Sequence, residues 1–153
     1  MLDLIDLIDV AVKIEAAGYE FYSKLSKKVD NELSKVFIRL AEQERDHIDT
    51  FRSLLEKYRN ISPVELSTWA NEEVKGYLTS FAQVSIFPKI NTNEIPEKIE
   101  DALKMAIDVE KDSIIFYDEI EALVPDKTII DEIIKEEKSH LADLSKLLSE
   151  LEK

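Results

Sequence analysis

The sequence contains no cysteine, and it has only two glycines and four prolines among its 153 residues. Without cysteine, the chain has no disulfide framework, no thiol nucleophile and no thiolate-ligated iron, zinc or iron–sulfur centre. Because glycine and proline mark tight turns, their scarcity argues against β-sandwiches, barrels and Rossmann-type folds, which need many turns. The length fits one domain, and we expect that domain to consist of a few long helices.

Basic residues are also scarce, since 20 Lys and Arg stand against 33 Asp and Glu and leave a net charge of −13. Such a chain has no electrostatic reason to bind nucleic acid or an anionic lipid surface. It lacks a run of about 18 apolar residues that would span a bilayer. Its first residues include Asp3, Asp6 and Asp9, where a signal peptide would be basic. We therefore expect a cytoplasmic protein without nucleic-acid or membrane partners.

Four long segments show apolar residues at alternating spacings of three and four, which is typical of amphipathic helices. They cover residues 2–29, 32–59, 96–124 and 126–151. Pro96 suits the first turn of the third helix, and Asp126 suits the N-cap of the fourth.

The connections between these segments predict the topology. The links after helices 1 and 3 are very short, so each pair forms an antiparallel hairpin. Residues 60–95 form a long crossover, in which we expect a shorter helix over 64–81, with Trp69 and Tyr77 covering the bundle or a subunit contact. The sequence thus predicts one all-α domain over 1–153. It is an antiparallel four-helix bundle of two repeated hairpins, 2–59 and 96–153, with the long crossover between helices 2 and 3.

Each of the four apolar stripes carries polar groups near its middle. Helices 1 and 3 each contribute one glutamate and helices 2 and 4 each contribute Glu-x-x-His, namely Glu15, Glu110, Glu44 with His47, and Glu137 with His140. Residues three apart lie on one helical face, so we expect the six side chains to meet at one level of the bundle. No Lys or Arg lies on the stripes to neutralise the carboxylates.

Four buried carboxylates without a cation would cost much free energy. Either the helices are aligned differently and the Glu–His pairs are exposed, or cations lie between them. Two divalent cations would balance four carboxylates, and carboxylate with imidazole ligands suits iron, manganese or zinc. The same donor pattern is that of di-iron carboxylate bundles.

The two halves of the chain also repeat each other. Glu110 and Tyr117 follow Glu15 and Tyr22 at an offset of 95 residues, and the second Glu-x-x-His follows the first at an offset of 93. A repeated helical hairpin predicts two copies related by a pseudo-twofold axis, which together build one symmetric metal pair.

At these residues the chain resembles the rubrerythrin family of the ferritin-like di-iron carboxylate superfamily. Residues 13–22 with 42–47 are similar to the first hairpin of that family, and residues 107–117 with 136–140 are similar to the second. The resemblance covers the four main helices and is weak over 60–95. It identifies the form of the family that lacks a rubredoxin domain.

The resemblance implies two iron ions, with manganese or zinc as substitutes, and it implies how they are held. Glu15 and His47 would bind one iron, and Glu110 and His140 would bind the other. Glu44 and Glu137 would bridge the two. Tyr22 and Tyr117 would hydrogen-bond the ligand carboxylates and orient them.

Two departures from the family pattern bear on function. The chain has no cysteine-ligated centre to deliver electrons, so a reductase of this kind needs a separate electron-donor protein. Ser113 stands where typical rubrerythrins carry an extra glutamate that exchanges with a histidine as the iron changes oxidation state. The remaining four-Glu, two-His donor set is closer to that of bacterioferritin-type proteins, and we expect His47 to stay bound in both oxidation states.

We therefore expect a non-haem di-iron oxidoreductase acting on peroxide or dioxygen, in the manner of rubrerythrin-like peroxide scavenging under oxidative stress. An iron-binding ferroxidase that stores or buffers iron is the alternative, and a bundle with a purely structural metal is a third. Storage would need a shell of many subunits, whereas peroxide reduction would need only a dimer and a donor. A homo-oligomer, dimer or larger, is expected in either case.

Overall fold

The computed structural model describes residues 4–61, 72–90 and 95–153. The described elements are α1 Leu4–Ser26, α2 Asn31–Arg59, α3 Glu72–Phe81, a π-helical segment Ala82–Ile86, α4 Phe87–Ile90, α5 Ile99–Glu121 and α6 Lys127–Leu151. No described residue lies in a β-strand.

The four long helices pair as two hairpins, α1 with α2 and α5 with α6. Their apolar stripes face inward and leave side chains such as Phe37, Phe51 and Phe116 fully buried, each worth about 1.5–3 kcal/mol of transfer free energy. The described part of the crossover lies over α1 and α5. The predicted all-α, ferritin-like four-helix bundle with one long crossover is confirmed.

The long helices begin and end close to the predicted positions, with two exceptions at N-termini. Helix α5 begins at Ile99 with Lys98 as its N-cap, so the prediction that Pro96 lies in its first turn is wrong. Asp126 does occupy the N-cap position of α6, but its side chain caps no backbone N–H. Its carboxylate instead accepts hydrogen bonds from Tyr58 Oη at 2.9 Å and Lys57 Nζ at 2.7 Å, which tie α2 to the start of α6.

The crossover is helical further than predicted. The expected helix over 64–81 lies partly outside the described residues, as does Trp69, and the helical path continues from Phe81 to Ile90. Pro88 does not end it, because the backbone widens just before the proline. The N–H of Phe87 donates to the carbonyl of Ala82, five residues back, and this π-turn relieves the clash that a proline ring makes with the preceding turn.

None of the described helices combines the length and the low charge that a bilayer-spanning helix requires.

Candidate metal centre

The structure brings all six predicted ligands together inside the bundle. Each is between 1 and 3% exposed, and the set is Glu15, Glu44, His47, Glu110, Glu137 and His140. They come from the four long helices, one glutamate each from α1 and α5 and one Glu–His pair each from α2 and α6. Because the helices are packed in register, polar groups near the middle of every apolar stripe face one another.

The six side chains form two overlapping groups of donors. Ligand atoms lie within 4.8 Å of one another in each group, and Glu44 and Glu137 belong to both. Glu15 and His47 complete the first group, and Glu110 with His140 completes the second. This division matches the ligand arrangement that the family resemblance implied, although the ligand roles themselves stay predictions.

Both histidines present Nδ1 to the carboxylates. Nδ1 of His47 lies 3.0 Å from Oε1 of Glu137 and 3.6 Å from Oε1 of Glu15. Nδ1 of His140 lies 3.1 Å from Oε1 of Glu44 and 3.6 Å from Oε1 of Glu110. The two rings stack with their centroids 6.0 Å apart. Each imidazole thus lies close to carboxylates of both hairpins. A metal ion ligated by both hairpins would require this arrangement.

The basic side chains that face the charge of this cluster are the two histidines. Among the described residues, the four carboxylates pair with the two histidines and with no Lys or Arg. Burial and the neighbouring Glu137 carboxylate raise the pKa of Glu110 to about 8. Burial alone would lower the pKa of both histidines, but hydrogen bonds and charge interactions with the glutamates raise it to about 11 for His47 and about 10 for His140. Without metal, protons on these three groups therefore offset part of the charge at neutral pH.

Several atoms of the cluster that could ligate a metal have no hydrogen-bond partner. Whether metal ions would satisfy them is a test of whether the site fits metal. The buried atoms without a hydrogen bond are Glu15 Oε2, Glu44 Oε1, Glu110 Oε2 and His140 Nδ1, of which Glu44 Oε1 and His140 Nδ1 form an ion-pair contact at 3.1 Å. All four belong to predicted ligands, and an unsatisfied buried polar group costs about 1–3 kcal/mol. Two divalent cations bound between these atoms would satisfy them and neutralise the carboxylates. The residues therefore fit a pair of oxygen- and imidazole-ligated metals.

Two tyrosines hold, across the bundle, the two glutamates that belong to only one group each. These are Glu15 and Glu110, called the outer glutamates below. Tyr22 Oη of α1 donates to Oε1 of Glu110 at 2.7 Å, and Tyr117 Oη of α5 donates to Oε1 of Glu15 at 2.8 Å. Burial, followed by the nearby carboxylates, raises the pKa of both tyrosines well above the usual value, so both stay protonated donors. Each tyrosine thus orients a carboxylate of the other hairpin, which is the pseudo-twofold relation that the repeat predicted.

A small cavity adjoins the carboxylates between α1 and α5. It measures about 10 Å³ and is lined by Gly18, Glu44, Glu110, Ser113 and Ile90 among others, which leaves room for about one water molecule. A Cβ on Gly18 would lie 3.1 Å from Oε2 of Glu44, so glycine gives that carboxylate its space. Ser113 is the repeat equivalent of Gly18 and is also buried.

Two further residues contact the histidines and were not predicted as site residues. Nε2 of His140 lies 2.7 Å from Oε1 of Gln43, and Nε2 of His47 contacts the carboxylate of Glu136. Both contacts run between α2 and α6. The sequence does carry a signal for them, because each residue directly precedes a Glu of Glu-x-x-His and the two are related by the repeat offset of 93.

Known proteins share this sequence pattern and this fold. The family model described as Rubrerythrin matches residues 6–148. The crystal structure of a ferritin-like diiron-carboxylate protein from Thermotoga maritima is similar over 97% of this chain and 96% of that chain, with a TM-score of 0.67 and 25% sequence identity. None of the curated proteins compared matches the chain significantly.

Proposed function

We propose, from the premise that this chain belongs to the rubrerythrin family, that it is an oxidoreductase acting on peroxide or dioxygen, with peroxide reduction as its preferred reaction. The predicted family resemblance is confirmed. The family, the fold and the buried Glu–His cluster together support a non-haem di-iron protein. The finer role is the proposal. The observation that supports the metal pair on which it depends is the set of four buried ligand atoms without a hydrogen bond, in a cluster that no Lys or Arg neutralises.

The proposal assigns the site residues as follows. Glu15 and His47 would hold one iron, and Glu110 and His140 would hold the other. Glu44 and Glu137, which belong to both groups of side chains, would contribute to both positions. When bound, two ferrous ions supply two electrons and Lewis acidity to an oxygen substrate. The protein holds the ligands in place through Tyr22 and Tyr117.

The buried surroundings of the site leave little space beside the carboxylates, which favours a small substrate over a large one. The cavity beside the carboxylates has room for about one water-sized molecule. Reduction of hydrogen peroxide to two waters consumes two electrons and two protons. The 153 residues contain no cysteine and hence no thiolate-ligated electron-transfer centre, so a separate donor protein restores the electrons. A homo-oligomer in the cytoplasm is the setting that we propose for this cycle.

Anaerobic titration with peroxide tests the proposal. Protein loaded with Fe(II) should be oxidised by about one peroxide for each pair of irons, and turnover should continue only when a reductant is added. The double variant Glu44→Ala, His47→Ala should lose the reaction. The matched double variant Glu42→Ala, Asp46→Ala, which changes exposed neighbours on the same helix, should keep it. If the loaded wild type does not react with peroxide, the preferred reaction is wrong.

A ferroxidase that stores or buffers iron is the second candidate. The observation in its favour is Ser113, which leaves the cluster with four glutamates and two histidines and with no further carboxylate at that position. This candidate is preferred if dioxygen oxidises the site faster than peroxide does. It also requires that the oxidised iron leaves the site and forms a mineral core.

A further inference from the structure

The two histidines differ in the group that contacts their outer nitrogen. Nε2 of His47 contacts the carboxylate of Glu136, whereas Nε2 of His140 contacts the side-chain amide oxygen of Gln43 at 2.7 Å. The groups that contact Nε2 are a carboxylate and an amide oxygen, which can only accept, so Nε2 carries a proton and donates it in both contacts. One imidazole therefore donates to an anion and the other to a neutral amide.

Several other contacts of the site are nearly equal in the two halves. The two tyrosine hydrogen bonds measure 2.7 and 2.8 Å. The distance from each histidine Nδ1 to the outer glutamate of its own group is 3.6 Å in both halves. Among these contacts, the two hairpins differ in the residue that contacts the histidine Nε2. The two residues, Gln43 and Glu136, occupy equivalent positions of the repeat.

The chemical consequence follows from how a second partner tunes a metal-bound imidazole. A carboxylate that accepts the outer N–H makes the ring a stronger base and a stronger ligand, and losing such a partner typically costs about 10–100-fold in metal affinity. A neutral amide does this less, since hydrogen bonds to ionised acceptors are about twice as strong. The Glu136 side chain is 54% exposed, so solvent weakens its effect and the lower end of that range applies.

We propose that Gln43 and Glu136 are positioning residues that make the two metal positions unequal. The iron held by Glu15 and His47 binds more tightly, and the iron held by Glu110 and His140 is the one that exchanges with solution. This inference rests on the proposed function only in requiring that the cluster binds two irons. It adds an order of loading and of loss that the symmetric ligand set does not contain.

Exchanging the two residues tests the inference. Fe(II) binding would be measured anaerobically by competition with a chromophoric chelator, which gives two stepwise dissociation constants. Glu136→Gln should bring the two constants together by about tenfold by weakening the tighter position. Gln43→Glu should also bring them together, by strengthening the weaker one. The double exchange Gln43→Glu, Glu136→Gln keeps the total charge and should restore the separation with the positions inverted.

The location of the first iron provides a readout that a general loss of structure would not produce. In crystals prepared with one equivalent of Fe(II), anomalous scattering should place the iron beside His47 in the wild type and beside His140 in the double exchange. Mössbauer spectra of protein loaded with ⁵⁷Fe(II) should show two resolved doublets in both proteins and closer doublets in each single variant.

The outcomes separate the inference from the proposed function. If the wild type binds two irons and Glu136→Gln leaves the ratio of constants unchanged, the inference is wrong while the di-iron proposal stands. If the double exchange leaves the first iron beside His47, the inference is also wrong. If the wild type binds no iron, both fail together, and the single variants are then not needed to decide.

Discussion

The two sides of the metal centre are built differently, although each combines equivalent helices of the two hairpins. The histidine side consists of α2 and α6, which contribute Glu44 with His47 and Glu137 with His140. The tyrosine side consists of α1 and α5, which contribute one glutamate and one tyrosine each, Glu15 with Tyr22 and Glu110 with Tyr117.

The contrast between the sides lies in what surrounds the donors. On the histidine side the outer contacts are Gln43 and the exposed Glu136, so the side reaches solvent through polar groups. On the tyrosine side the outer contacts are buried hydroxyls, and the small cavity with Ile90 of the crossover lies here. We infer that the histidine side makes the two metal positions unequal and that the tyrosine side leaves a small cavity beside the carboxylates.

The largest expected effect comes from removing donors on the histidine side. Wild-type protein should hold about two irons per chain, as this ligand pattern does in di-iron bundles. The double variant Glu44→Ala, His47→Ala removes a donor shared by both groups and one imidazole, so it should bind close to none. Iron would be counted by elemental analysis after anaerobic loading and desalting. Undiminished iron in the variant would show that the metal is held elsewhere.

Metal removal should have the next largest effect, and its sign with pH follows from the titrating groups. In the metal-free protein the pKa of Glu110 is raised from 4.5 to about 8. Its protonation therefore stabilises the fold below pH 4.5, and this contribution is lost as the pH rises toward 8. The pKa of His47 and His140 is raised from 6.5 to about 11 and about 10. Their contribution is full below pH 6.5 and is lost as the pH rises through those values.

Metal binding has the opposite dependence, because protons must leave the ligands first. The melting temperature of the loaded protein should therefore exceed that of the metal-free protein by a margin that widens from pH 5 to pH 8. Free metal at about 100 times its dissociation constant adds about 2.7 kcal/mol, which is about 5–10 °C for a chain of this size. Calorimetry of both forms measures the margin, and Glu137→Gln should narrow it while leaving a folded bundle. An unchanged melting temperature after chelation at neutral pH would refute the buried-charge argument.

Loss of a tyrosine hydroxyl should have a smaller effect on iron binding, and the effect should be the same for the two tyrosines. Tyr22→Phe and Tyr117→Phe each remove one buried hydroxyl from one glutamate, and each should lower iron affinity by about tenfold. Because the two hydrogen bonds have nearly equal lengths, the two losses should be equal, in contrast to the unequal effects expected at Gln43 and Glu136. Tyr58→Phe is the matched control, since its hydroxyl bonds Asp126 away from the centre. It should cost about 1 kcal/mol of stability and leave iron binding unchanged, and unequal losses in the first two variants would break the comparison.

Much of this centre can be predicted from the sequence because helical periodicity is a strong signal. The positions of Glu15 and Glu110 on apolar stripes, together with the repeated Glu-x-x-His, predict a cluster of six donors, and the structure brings those six together. The fold follows from the same periodicity, since the short links leave only antiparallel hairpins.

What the sequence did not predict depends on contacts between distant segments. The carboxylate of Asp126 could cap its own helix, but it bonds Tyr58 and Lys57 of α2 instead, a competition that local propensity does not contain. Pro88 suggests a helix end, but a π-turn absorbs it. Gln43 and Glu136 look like surface residues of their helices until the packing of α2 against α6 places them at the histidines.

The smallest expected effect concerns the space that the tyrosine side leaves for a carboxylate of the histidine side. A Cβ at Gly18 would lie 3.1 Å from Oε2 of Glu44, whereas a Cβ at Gly76 in α3 would meet nothing within 4 Å. Alanine in a helix is favoured over glycine by about 0.5–1 kcal/mol. Gly76→Ala should therefore stabilise the metal-free protein by that amount and leave iron binding unchanged.

In Gly18→Ala the Glu44 carboxylate must shift by a few tenths of an ångström, which offsets that gain and displaces a donor that belongs to both groups. We expect a metal-free melting temperature close to that of the wild type and a several-fold weaker affinity for both irons, measured by the same chelator competition. If Gly18→Ala behaves like Gly76→Ala in both measurements, Glu44 does not need that space, and the division of labour between the two sides is less strict than the contacts indicate.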